Sequence, residues 1–135
     1  MNKKIELINT LRDNSRIRIS KISRKIREPV TTLYFTLKKL EESVIKRHVS
    51  IVNFEEHGFT RIFFVLPEEP KSAILKLQQH ECVNNMMRTQ KGFLIDAVFK
   101  DNRTFSGFKK TMENKRIKFS VHPMVETMKF EEMKI

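Results

Sequence analysis

Apolar residues Ile5, Leu7, Ile8 and Leu11 recur at the spacing of one helix face, and Asp13-Asn14-Ser15 breaks the pattern. A shorter second helix is expected with Ile19, Ile22 and Ile26 inward and its start between Arg18 and Ser20. Arg27-Glu28-Pro29 ends it, because proline disfavours helical backbone in the residue before it. Proline suits a first helical turn, so a third helix starts near Pro29 and extends to about residue 42. Its buried stripe is Leu33, Leu37 and Leu40, at i, i+4 and i+7. Past Glu41-Glu42-Ser43 the stretch Val44 to Val52 is rich in β-branched residues and alternates in part, which predicts two short strands forming a wing.

Asn53 to Gly58 reads as a connection to a second unit. There Phe59 to Leu66 predicts a strand, Pro67 to Pro70 break the chain, and Ala73, Ile74 and Leu77 mark a helix. Met86 and Met87 fall in a second strand, and Lys91-Gly92 turns the chain into a third at Phe93 to Phe99. Asp101 or Asn102 can cap a helix carrying Phe105, Phe108 and Met112, and Ile117 to Lys129 supplies one or two further strands interrupted by Pro123. The order β-α-β-β-α-β is that of the ferredoxin-like unit, whose helices cover one face of an antiparallel sheet. Ile62 to Leu66 and Phe93 to Ile95 are apolar on both faces, whereas a face in water should be polar. The uncovered face is therefore expected to pack on a second copy, most simply as a two-fold dimer. The expected fold class is α+β, with an N-terminal winged helix-turn-helix at 1–53 and a C-terminal ferredoxin-like β-α-β-β-α-β domain at 54–135.

Charge separates the same two segments. Residues 1–53 hold 13 Lys/Arg against 5 Asp/Glu, and residues 54–135 hold 14 against 11, giving +8 and +3 of the total +11. A basic excess on a small helical unit is the electrostatic footprint of a phosphate-backbone binder, so double-stranded DNA is the expected partner. At 100° per residue from the leucine stripe, Thr31, Phe35 and Lys38 point away from it, with Thr32, Tyr34 and Lys39 on the flanks. Hydroxyls can bond base edges and aromatic carbon can meet a thymine methyl, so Thr31, Thr32, Tyr34, Phe35 and Lys38 are the candidate base readers. The alternative is that Tyr34 and Phe35 pack on the rest of the protein. The second helix carries Arg18, Lys21, Arg24, Lys25 and Arg27, five bases in ten positions. With Lys39, Lys46 and Arg47, they are candidate phosphate contacts that orient the head without reading sequence.

The composition, with 39% hydrophobic and 32% charged residues, suits a folded protein, and 3 Gly and 4 Pro imply short connections. One cysteine, Cys82, excludes an internal disulfide framework and a cysteine-based zinc finger; it is expected to pack as a small hydrophobe. Neither a signal-peptide core nor a run long enough to cross a bilayer is present, so a cytoplasmic protein with no membrane partner is expected. Gly-rich phosphate loops, Cys/His clusters and nucleophile elbows are absent, and no cofactor, metal or catalytic residue is assigned.

Arg16-Ile17, Ile22-Ser23-Arg24-Lys25-Ile26, Leu37-Lys38-Lys39-Leu40-Glu41 and Val44-Ile45, with Gly58 after a polar linker and the β-α-β-β-α-β order, give the whole chain a resemblance to the Lrp/AsnC (feast/famine) transcription regulators. The resemblance implies a winged head, sheet-to-sheet dimers that often assemble into tetramers or octamers, and small effectors such as amino acids bound between dimers. This chain departs from the family where a Gly-x-Tyr-Asp run usually precedes the third strand. Thr89-Gln90-Lys91-Gly92-Phe93-Leu94 stands there without the aspartate, leaving Lys91 and Gly92 as the effector candidates. Ser43 also replaces a usual glycine. The reading is thus a sequence-specific transcription regulator that is not an enzyme. Its alternatives are a low-specificity architectural DNA-binding protein, held by counterion release, and an enzyme like the family's tetrapyrrole-decarboxylating relatives, with His80 and His122 as first candidates. A sheet binding RNA on exposed aromatics is a third alternative, for which no basic-aromatic signature appears on the strands.

Overall fold

A computed structural model describes residues 2–128; those up to Ile51 belong to one compact unit and Val52–Thr127 form a second. The first is a head of three helices, α1 (Lys3–Asp13), α2 (Ile19–Ile26) and α3 (Val30–Ser43). Asn2 caps α1 by accepting the Lys4 amide at 2.9 Å. The head core is Leu7, Leu11, Ile22, Ile26, Leu33 and Leu40, so the periodic positions of all three helices converge. Thr10, also buried, escapes a hydrophobic pattern because its hydroxyl is satisfied by donating to the Glu6 carbonyl at 2.8 Å.

Helix α2 stops at Arg27, which adopts the left-handed conformation (φ 56°), and the Glu28 amide closes back on the Ser23 carbonyl. The stop thus falls two residues before Pro29, which in turn precedes the first residue of α3. Lys3 reaches across from α1 and donates to the Ile26 carbonyl at 2.7 Å, supplying a cation to the electronegative end of α2.

The predicted wing is a correction: among the described residues no strand occurs between 44 and 53. The amides of Val44 and Ile45 both donate to the Leu40 carbonyl, and Ile45 packs against the head core. These two residues therefore complete the end of α3 instead of opening a strand. Lys46-Arg47-His48 also lacks the Gly, Asn or Asp that a tight hairpin turn demands.

The second unit begins with a short 3-10 turn, Glu55–His57, ended by Gly58 at φ 78°. It then runs β1 (Thr60–Leu66), α4 (Ile74–Gln78), β2 (Val83–Thr89), β3 (Gly92–Phe99), α5 (Asn102–Asn114) and β4 (Ser120–Pro123). The four strands form one antiparallel sheet in the order β2-β3-β1-β4, with Phe64 opposite Ile95 and Val121. The helices cover one face. Ile62, Phe64, Leu66, Phe93, Ile95, Ala97 and Phe99 meet Ala73 and Leu77 from the α4 side and Phe108 and Met112 from α5. Phe64 lies at the centre, its ring 5.1 Å from Phe108 and 5.6 Å from Phe119 in edge-on contacts.

Asp101 is the N-cap of α5 and accepts the Thr104 amide at 2.7 Å in a reciprocal capping box. That amide holds the Asp101 carboxyl below the usual range. The β2-β3 turn is Gln90-Lys91, one residue earlier than expected, and Gly92 opens β3. Of the expected terminal strands, the described residues contain β4 alone; Lys129 lies outside them.

Candidate nucleic-acid interface

The leucine back of α3 turns Leu33 and Leu40 into the head core, and the helical repeat carries the opposite side chains outward. Thr31, Thr32, Tyr34, Phe35 and Lys38 are all exposed, Tyr34 at 50% and Phe35 at 61% of full accessibility. The alternative that the two aromatics pack inward does not describe this chain. Their rings instead brace each other edge-on, 5.9 Å apart, and the Lys38 ammonium sits 5.5 Å from the centre of the Tyr34 ring. Val30, at the start of the helix, is exposed beside them. Sequence reasoning passed over Val30, although it precedes Tyr34 by four residues and so shares its side of the helix.

The candidate phosphate contacts Arg18, Lys21, Arg24, Lys25, Arg27, Lys39, Lys46 and Arg47 are likewise all exposed. Arg18 and Arg27 flank α2 as its N-cap and C-cap residues, and Lys21, Arg24 and Lys25 lie on the helix between them. Lys46 and Arg47 line an open groove of about 640 Å³ bounded by the end of α1 and residues 44–51. Beside them the His48 ring lies 3.2 Å from the Glu41 carboxylate, tying this segment to the last turns of α3.

In the second unit Lys91 and Gly92 stand next to each other at the β2-β3 turn. A Cβ on Gly92 would lie 2.0 Å from the Leu66 carbonyl oxygen, and its φ of 151° also disfavours any side chain. Close approach of the strands therefore accounts for this glycine without a ligand. Lys91 lines a mainly apolar cavity of about 470 Å³, together with Thr89, Phe93, Leu94 and Lys118.

The helix-free sheet face holds the feature that the sequence reading missed. Asp96 is 1% exposed, and its carboxylate accepts two hydrogen bonds from Arg61 (Nε at 2.8 Å) and one each from the Asn85 and Asn84 amides at 2.9 and 3.2 Å. Burial pushes this carboxyl up, but the hydrogen bonds from Arg61, Asn85 and Asn84 and the Arg61 charge outweigh it and hold it below the usual range. The same bond raises the Arg61 guanidinium against the effect of its own burial. An isolated Asp within an apolar strand was the available signal.

His80 and His122 have local partners. The His80 Nδ1 accepts the Cys82 amide at 3.1 Å with its ring against Phe108, and His122 pairs with the Ser120 hydroxyl at 3.0 Å. Cys82 packs partly buried against the sheet core, and burial pushes its thiol up. Among the described residues no group of three or more His, Cys, Asp or Glu could hold a metal, and no helix is long and apolar enough to cross a membrane.

No protein-family model matches the sequence, and no curated protein matches it either. Solved structures do. A transcriptional regulator of Neisseria meningitidis, crystallised as an L-Met complex, superposes with a TM-score of 0.85 at 15% identity over 96% of this chain and 92% of its own. An AsnC family transcriptional regulator of Agrobacterium tumefaciens gives 0.81 at 19% identity, over 96% and 93%. LrpC of B. subtilis gives 0.81 at 13% identity, over 96% of each chain. These structural neighbours are Lrp/AsnC transcriptional regulators, and it is their fold that this chain carries.

Proposed function

We propose that this chain is a sequence-specific DNA-binding transcription regulator, with 1–53 as a helix-turn-helix head and 54–135 as a ferredoxin-like assembly domain. One observation carries the reading. A helix anchored by leucines presents Thr31, Tyr34, Phe35 and Lys38 to solvent, next to a helix whose exposed charges are all basic through Arg27. Such a surface suits a major groove, with α2 over the phosphate backbone and α3 against the bases. Arg18, Lys21, Arg24, Lys25, Arg27, Lys39, Lys46 and Arg47 serve the backbone, and Thr31, Thr32, Tyr34, Phe35 and Lys38 the base edges.

The chain acts as a homodimer or a larger assembly. The helix-free face of its sheet carries Phe63, Val65, Leu94 and Val98, with Val65 40% exposed, around the Asp96 node. An apolar sheet face of this kind needs a cover, and a second copy supplies it symmetrically. The 470 Å³ cavity at Lys91 is a site for a small molecule bearing a carboxylate, a reading supported by the two lysines in its lining and by the L-Met complex of one neighbour.

Selection from a random duplex pool at physiological salt tests the central claim. An enriched two-fold motif, with half-sites spaced by whole helical turns, is the expected result. Binding without enrichment would instead establish an architectural protein, and absence of binding would remove the DNA reading.

A further inference from the structure

The exposed face of α3 has an unusual chemistry for a base reader. Side chains that read bases by paired hydrogen bonds are Arg or Lys to guanine and Asn or Gln to adenine. Helix α3, Val30–Ser43, contains no Arg, Asn, Gln or Asp. Its Lys38 ammonium rests over the Tyr34 ring, and beside the exposed Thr31 and Thr32 hydroxyls the accessible surface is carbon from Val30, Tyr34 and Phe35. Phe35 is the most exposed of these, and the edge-on contact with Tyr34 restricts its ring. The surrounding charge is positive, with Lys21, Arg24 and Lys25 exposed on the neighbouring helix, so a polyanion fits this patch and an acid-poor protein surface does not.

In the major groove an apolar surface can distinguish one group by contact alone, the methyl on C5 of a pyrimidine. We infer that α3 selects its half-site through pyrimidine C5-methyl groups, with Phe35 as the specificity-determining side chain and Val30 and Tyr34 completing the patch. Thymine and 5-methylcytosine carry this methyl at the same ring position. The head therefore gains the same methyl contact from either and loses it at uracil and cytosine, which makes cytosine methylation a modulator of its sites. This inference rests on the DNA-binding function proposed above.

The test uses the full chain and duplexes bearing its selected half-site, in which each thymine is replaced in turn by deoxyuridine. Removing a contacted methyl is expected to weaken binding about fourfold, the equivalent of one buried methyl group. At a C·G pair placed in the same position, 5-methylation of the cytosine should strengthen binding by the same factor. Phe35→Ala should bind thymine and uracil duplexes equally, and a cooperative thermal melt matching the wild type's reports an intact head. Uracil duplexes bound as tightly as thymine duplexes would overturn the methyl readout and leave the DNA reading standing. A chain that enriches no sequence would fail at the earlier step, and both claims would fall.

Discussion

At the scale of single residues, three positions are set by geometry that their residue type only hints at. Arg27 holds a left-handed backbone, which costs an L-residue roughly 1–2 kcal/mol. Arg27→Gly should therefore raise the head's stability by about 1 kcal/mol in denaturant unfolding while weakening binding to all duplexes, since a backbone cation is lost. A stability loss instead would show that the side chain holds the α2 end in place. Gly92→Ala should do the reverse in the second unit, because the new carbon meets the Leu66 carbonyl; a loss of more than about 3 kcal/mol is expected from such a clash with backbone.

Asp96 makes a third case, through its charge. Its folded-state pKa is depressed below the unfolded carboxylate value, so its stabilisation is present above about pH 4 and is lost as pH falls through the folded value. Asp96→Asn should remove that acid-side dependence and cost about 3 kcal/mol at neutral pH by leaving Arg61 without its partner. Thermal melts at a series of acidic pH values compare the two proteins directly. Parallel pH profiles would mean that the carboxylate is not the titrating group.

At the scale of elements, the proposed division of DNA binding between α2 and α3 is measurable. Lys38→Ala should relax discrimination among duplexes, by about 1–3 kcal/mol if a good base contact is lost. Arg24→Ala and Lys25→Ala should weaken every duplex alike and each lower the salt slope by about one. Loss confined to one sequence would contradict a phosphate role for these bases. The segment after α3 shows how an element can be misjudged. Val44 and Ile45 have strand propensity, but their amides are taken by the Leu40 carbonyl and the Ile45 side chain by the head core. Strand propensity reflects how a side chain fits a pleated, half-buried surface, and here a hydrogen bond and packing against the head core override it.

For the whole molecule, the chain joins a basic helical head to a sheet whose helix-free face is largely apolar. Val65→Lys places a charge in the middle of that face without touching the core beneath it, where Phe64 and Leu66 point. Sedimentation should then show a monomer with an intact melt, and loss of the cooperative half-site spacing in duplex selection. A dimer that survives Val65→Lys would locate the interface elsewhere.

What the sequence determined by itself is whatever repeats locally: the leucine and isoleucine stripes of α1, α2 and α3, the strand–helix order of the second unit, and the concentration of charge before residue 53. A helix face or a pleat is specified within a turn or two, so periodicity suffices to find it. The same periodicity turns Phe35 and Lys38 away from the leucine stripe and leaves Tyr34 on its flank. Only the tertiary structure decided the fate of residues whose partners are distant along the chain. Asp96 is buried because Arg61, 35 residues away, and Asn84 and Asn85 converge on it. Gly92 is required because β1 ends against it. Such contacts depend on where the chain returns in space, and no pattern of neighbouring residues encodes that return.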